Sequence, residues 1–247
     1  MQELKLPKDQ SDTLSLFIKS LRDIYWNDLV SVTLYGSAAS GEFIDSRSNL
    51  NVLVVLRSTD LESLKKASPL VNRSKFRRIK PLFLTQDYIE KSIDVFPIEF
   101  LDMKENYQVL FGNDCLNDLN IDIKNLKYQC EHELKANLLN LKQDFLKINQ
   151  KDRNALNNLL FRYFTSVVHI LRNVVRLKGA VPSYAKDAVI REIGGELHLD
   201  VTTLSNILSA KNSPLPPNLK EARALLGSFI AELEMITRLL DQIYEGL

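Results

Sequence analysis

Cysteine is scarce. Cys115 and Cys130 are the only two in 247 residues, and two isolated thiols do not make a disulfide framework. A reduced, cytoplasmic setting is therefore expected. Histidine is equally sparse: His132, His169 and His198 stand far apart, without the close spacing of a zinc site. The formal net charge is only +1, which gives no global attraction to nucleic acid or to an anionic membrane. Neither is an expected partner. No apolar run approaches about 18 residues, so no membrane-spanning helix is expected. The opening MQELKLPKDQSD lacks the apolar core of a secretion signal. Repeats and low-complexity segments are absent.

What remains is ordinary globular material. Hydrophobic residues make up 45% and charged residues 26%, ample for a sizeable core. The stretch 29–56, LVSVTLYGSAASGEFIDSRSNLNVLVVL, organises the rest. Leu29, Val30, Val32 and Leu34 form an apolar run that ends at Tyr35-Gly36-Ser37, and a second run covers 52–56. The pattern predicts strand, tight turn, short helix over 38–43, then strand. Gly36 suits backbone that turns sharply or approaches a ligand closely. Ser37 is expected to cap the short helix, whose free N–H groups and partial positive charge suit a phosphate.

Gly36-Ser37, eleven residues, then Asn49-Leu50-Asn51 at the head of an apolar strand resembles the nucleotidyltransferase superfamily of the DNA polymerase β type. The kanamycin-type and minimal bacterial members look most similar. In that family the pattern ends in Asp-apolar-Asp, and alternation along the strand points both acids to one face. There they hold Mg²⁺ against a nucleoside triphosphate. Here both positions are Asn. An amide offers a neutral carbonyl where a carboxylate offers charge, and Mg²⁺ is usually held through one or two carboxylates. The resemblance thus implies nucleotide contacts from Gly36, Ser37, Asn49 and Asn51, no dedicated metal ligand, and weak binding of any Mg²⁺ that accompanies an NTP.

A third carboxylate completes the family's cluster on a later strand. The segment 96–103, FPIEFLDM, is read as that strand, with Glu99 as the catalytic acid in preference to Asp102. Glu42 and Asp45 lie closer to the turn and are weighed as substitutes. A helix is expected over 11–26 with Ser11 or Asp12 as cap and Trp26 as core. Further elements are a helix over 59–67, a strand over 81–84 and a helix over 85–93 capped by Thr85. Arg73, Lys75, Arg77, Arg78 and Lys80 form a basic run within eight residues, expected as a solvated face, with phosphate contact as the functional alternative. The Asn- and Asp-rich segment 107–122 reads as a domain boundary.

Beyond it the period changes to 3.6. Helices are expected over 122–148, 153–178, 184–193, 201–210 and 218–244, with the Pro-rich 213–217 as a rigid connector. The expected fold class is an α/β mixed sheet over residues 1–115 followed by an all-α helical bundle over 122–247. Arg162 and His169, seven apart on one helix face, resemble the nuclease spacing of HEPN domains, though Tyr163 replaces the usual polar residue. The plainer reading pairs them with acids of the first domain. Three functions follow as expectations. The first is a catalytically impaired nucleotidyltransferase-fold protein (a pseudoenzyme) binding a nucleotide or small substrate in a cleft between the domains. The second is an active Mg²⁺-dependent nucleotidyltransferase. The third is an antitoxin-like or regulatory module with a HEPN-like half that docks a protein partner or forms a homodimer.

Overall fold

The computed structural model describes residues 6–41, 43 and 49–244. The chain divides into two compact units, Met1–Asp122 and Ile123–Leu247. Among the described residues no helix is long and apolar enough to cross a membrane.

The first unit is built on β1 (Leu29–Tyr35) and β2 (Leu50–Leu56), an antiparallel pair. β3 (Ile79–Leu84) joins β2 in parallel, and β4 (Tyr107–Gly112) joins β1 antiparallel. The order β3-β2-β1-β4 makes a mixed sheet. The parallel step needs a crossover, supplied by α3 (Leu61–Val71), which Asp60 caps by accepting from the Ser63 N–H at 2.7 Å.

Both faces of the sheet are covered. α1 (Lys8–Tyr25) lays Leu14, Phe17 and Leu21 on one face, over Val32, Leu34, Val52 and Val54. On the other, Leu53 and Val55 meet Ile89 of α4 (Gln86–Ser92) and Phe100 and Met103 of α5 (Pro97–Glu105). Within β2 every residue is buried except Asn51. A strand buried on both faces has to read as a continuous apolar run, which is why 52–56 is legible in the sequence.

Four expectations are corrected. The first helix begins at Lys8, because the Pro7 carbonyl accepts from both Gln10 and Ser11 N–H at 3.0 Å, leaving Ser11 and Asp12 inside the helix. Trp26 is not core: it is 78% exposed, with φ +42° where α1 ends. The segment expected as a strand around Glu99 is α5. Pro97 opens it at a helical N-terminus, where its missing donor does no harm, and Ile98, Phe100 and Met103 are buried from the helix. Tyr107–Gly112 is not boundary but β4, which occupies the edge of β1 that β2 leaves open.

The second unit holds α6 (Ile123–Lys147), α7 (Arg153–Leu177), α8 (Lys186–Leu197), α9 (Thr202–Asn212) and α10 (Leu219–Tyr244). α7 is central, with Leu156, Leu160, Phe164, Val167 and Leu171 buried. Asp152 caps it through the N–H groups of Asn154 and Ala155, and Gly179 at φ +81° follows its end. The rigid connector is pinned where Asn157 Nδ2 donates to the Pro217 carbonyl at 3.0 Å.

Glu232 of α10 is 6% exposed, and neither carboxylate oxygen meets a hydrogen-bond partner among the described residues. Burial, together with the nearby charge of Asp200, pushes its carboxyl up from 4.5 to about 7. The fold therefore favours the neutral acid. Its stability contribution is full below about pH 4.5 and is lost as pH rises to about 7. Denaturant unfolding monitored by circular dichroism is expected to show greater stability at pH 5 than at pH 8, by up to about 3 kcal/mol. Glu232→Gln is expected to flatten that difference and to raise stability at pH 8.

Candidate functional site

β1 ends at Tyr35, and the chain reverses through Gly36. Its φ of +75° and ψ of −149° are open essentially to glycine alone. The Gly36 N–H donates to the Asn106 carbonyl at the end of α5 (2.9 Å), and its carbonyl accepts from Ala39 and Ser40 (2.9 and 3.0 Å). α2 (Ser37–Ser40) follows. Gly36 stands at the cap and Ser37 is the first helical residue, so the expectation of Ser37 as the cap is corrected. The helix is a single turn, too short to accumulate much dipole. By itself such a turn offers an anion little attraction.

A Cβ built on Gly36 would lie 3.4 Å from Asn51 Nδ2. The Asn51 amide thus reaches over the turn. Register explains this placement. Tyr35 pairs with Asn51, Asn51 with Lys80 and Tyr35 with Tyr107, so Tyr107, Tyr35, Asn51 and Lys80 form one row across four strands. Paired residues share a face, with Cβ atoms roughly 5 Å apart. Burial pushes the Tyr35 phenol up. Burial and a 2.9 Å bond to Asp114 push the Tyr107 phenol to about 12. Both phenols are neutral at pH 7. Lys80 is the charged member of the row.

Asn49 is exposed, just before β2 begins. Glu99 is exposed in the first turn of α5, where its three-residue spacing from Asp102 puts the two acids on one helix face and not on opposite sides of a strand. Glu42 and Asp45 lie outside the described residues. Arg162 and His169 are both exposed on α7. Arg162 Nη2 meets Asp144 Oδ2 of α6 at 2.7 Å, with the Tyr163 hydroxyl on the same carboxylate at 2.9 Å. Its acid partner therefore belongs to the helical unit, correcting the expected pairing with the first domain. Asp144 is held below the usual carboxylate range, first by the Tyr163 hydroxyl and then by the Lys147 and Arg162 charges.

Magnesium does not fit this donor set. The neutral Asn51 amide reaches over the turn, and Lys80 is its neighbour on the next strand. Among the described residues no three His, Cys, Asp or Glu side chains gather in one place.

The sequence shows Lys80 only as part of the basic run and Tyr35 only as the end of an apolar run; strand register is what shows that they flank Asn51, and the Asn106 contact to Gly36 carries no local signal. A cavity of about 600 Å³ lies at this end of the sheet, lined by Tyr35, Asn72, Arg73, Ser74, Arg77 and Lys80 among others. Its described lining contains no carboxylate.

No family model matches the chain, and no curated protein matches it. Among solved structures, the spectinomycin adenyltransferase AAD(9) from Enterococcus faecialis, with ATP and spectinomycin, aligns over 88% of this chain and 99% of its own, at 14% identity and a TM-score of 0.42. A nucleotidyltransferase-like protein from Exiguobacterium sibiricum aligns over 91% of this chain and 74% of its own, at 18% identity and a TM-score of 0.34.

Gly36→Ala is expected to destabilise the first unit by about 1–3 kcal/mol, because the conformation and not lack of space demands glycine. Loss of that unit's stability with the helical unit unchanged, read by hydrogen exchange, checks it.

Proposed function

We propose that this chain is a nucleotidyltransferase-fold protein that receives the phosphate end of a nucleotide at the Gly36 turn and has lost efficient metal-dependent transfer. One observation carries the reading: Asn51, at the position of a family metal ligand, reaches over a glycine-only turn. Nucleotide contacts come from Gly36, Ser37, Asn49 and Asn51. The loss of transfer follows from their chemistry. Mg²⁺ sheds water reluctantly and is usually held by carboxylates. Here it would meet amide carbonyls beside an ammonium, and in-line transfer depends on that ion for most of its charge stabilisation. Glu99, on a helix and exposed, is not placed on the strand that would deliver a third acid.

Calorimetry with each of the four NTPs, with and without Mg²⁺, tests the binding half. Affinity for at least one nucleotide that is indifferent to Mg²⁺ is expected. Magnesium-dependent NTP turnover abolished by Glu99→Ala would overturn the loss of transfer. A second outcome is sharper. Asn49→Asp with Asn51→Asp is expected to give little Mg²⁺ affinity while Lys80 remains. Adding Lys80→Ala is expected to raise it severalfold, because Lys80 neighbours Asn51 in the sheet row and a positive charge there repels a divalent ion even in a watery dielectric.

The regulatory-module reading has its own support. Leu139 and Leu146, seven apart on one face of α6, are 58% and 75% exposed. Gel filtration checks it: if this stripe joins two copies, Leu139→Glu with Leu146→Glu converts a dimer to a monomer, and a wild-type monomer that retains no partner counts against it.

A further inference from the structure

We infer that the cavity beside the Gly36 turn binds the polyphosphate of a nucleoside triphosphate directly, with Lys80, Arg77 and Arg73 supplying the positive charge that a divalent metal supplies in related active sites. This deepens the reading above and rests on it for the nucleoside part only.

Placement carries the inference. Tyr35 and Lys80 flank Asn51 in the sheet row, and both line the cavity. Arg73 and Arg77 enter from the turn after α3. That turn is fixed by Phe76, which is 2% exposed and packs edge-on against Phe17 with ring centroids 5.2 Å apart. Backbone bonds close it on both sides: Phe76 N–H donates to the Arg73 carbonyl at 2.9 Å and Arg77 N–H to the Ser74 carbonyl at 3.3 Å. Three cations are thereby gathered around one cavity whose described lining holds no carboxylate. Its volume, about 600 Å³, falls within the range of small-molecule sites. Guanidinium groups match phosphate oxygens in pairs, and lysine acts as a point charge. Lys80 and Pro81 also blunt an exposed sheet edge. Edge protection, however, calls for no cation at 73 or 77 and no cavity between them.

The experiment is calorimetry of the full chain with ATP and, separately, with inorganic tripolyphosphate, in EDTA and in Mg²⁺. Both anions are expected to bind in EDTA. Lys80→Glu and Arg77→Glu are each expected to weaken both by tenfold or more, while Lys80→Arg keeps most of the affinity. Circular dichroism confirms that each variant is folded. Binding that appears only with Mg²⁺, or binding in EDTA that neither charge reversal moves, overturns the inference. ATP binding that depends on Gly36 and Asn51 but ignores Lys80 overturns it too, and leaves the nucleotide reading standing. Tripolyphosphate binding through these cations, with ATP no tighter, upholds the inference and removes the nucleotide. If neither anion binds, both fall.

Discussion

The antiparallel pairing of β1 with β2, buried on both sides, is the constraint on which the first unit depends. Leu53 and Val55 face one core, and Val52 and Val54 the other. A strand so enclosed cannot slip by one residue without reversing which side chains meet which core. The pairing of Tyr35 with Asn51 is therefore locked, and so is the reach of the amide toward Gly36. The site inherits its geometry from burial several residues away.

On that scaffold one row of the sheet gathers two phenols, an amide and a lysine. Neutral phenols tolerate the neighbourhood, since burial keeps both Tyr35 and Tyr107 protonated. The cavity lies at the same end of the sheet, and the charged side chains in its described lining are all basic.

Much of this was legible in the sequence, and the failures have distinct causes. β1, Gly36 and β2 were readable because their apolar runs and the glycine each answer a local demand. The cap by Thr85 was readable for the same reason, and its hydroxyl accepts from the Tyr88 N–H at 3.1 Å. FPIEFLDM around Glu99 satisfies both a period of two and a short helix, and Pro97, which suits a helix start, decides for the helix. β4 was missed because it has no buried residue to advertise it, and its pairing with β1 is a non-local event. The indole of Trp26 suggests core by its side chain alone, but its backbone at φ +42° ends the helix and the ring is exposed. Lys80 was visible as a charge and invisible as a neighbour, since register is a property of two strands.

That outward ring has one more result. Trp26 is the chain's sole indole and belongs to the first unit, whereas the described regular structure of the second unit is helical. Far-ultraviolet ellipticity sums the helices of both units, but indole emission arises in the sheet-bearing half alone. That half is thus optically labelled by its own composition, with no probe attached.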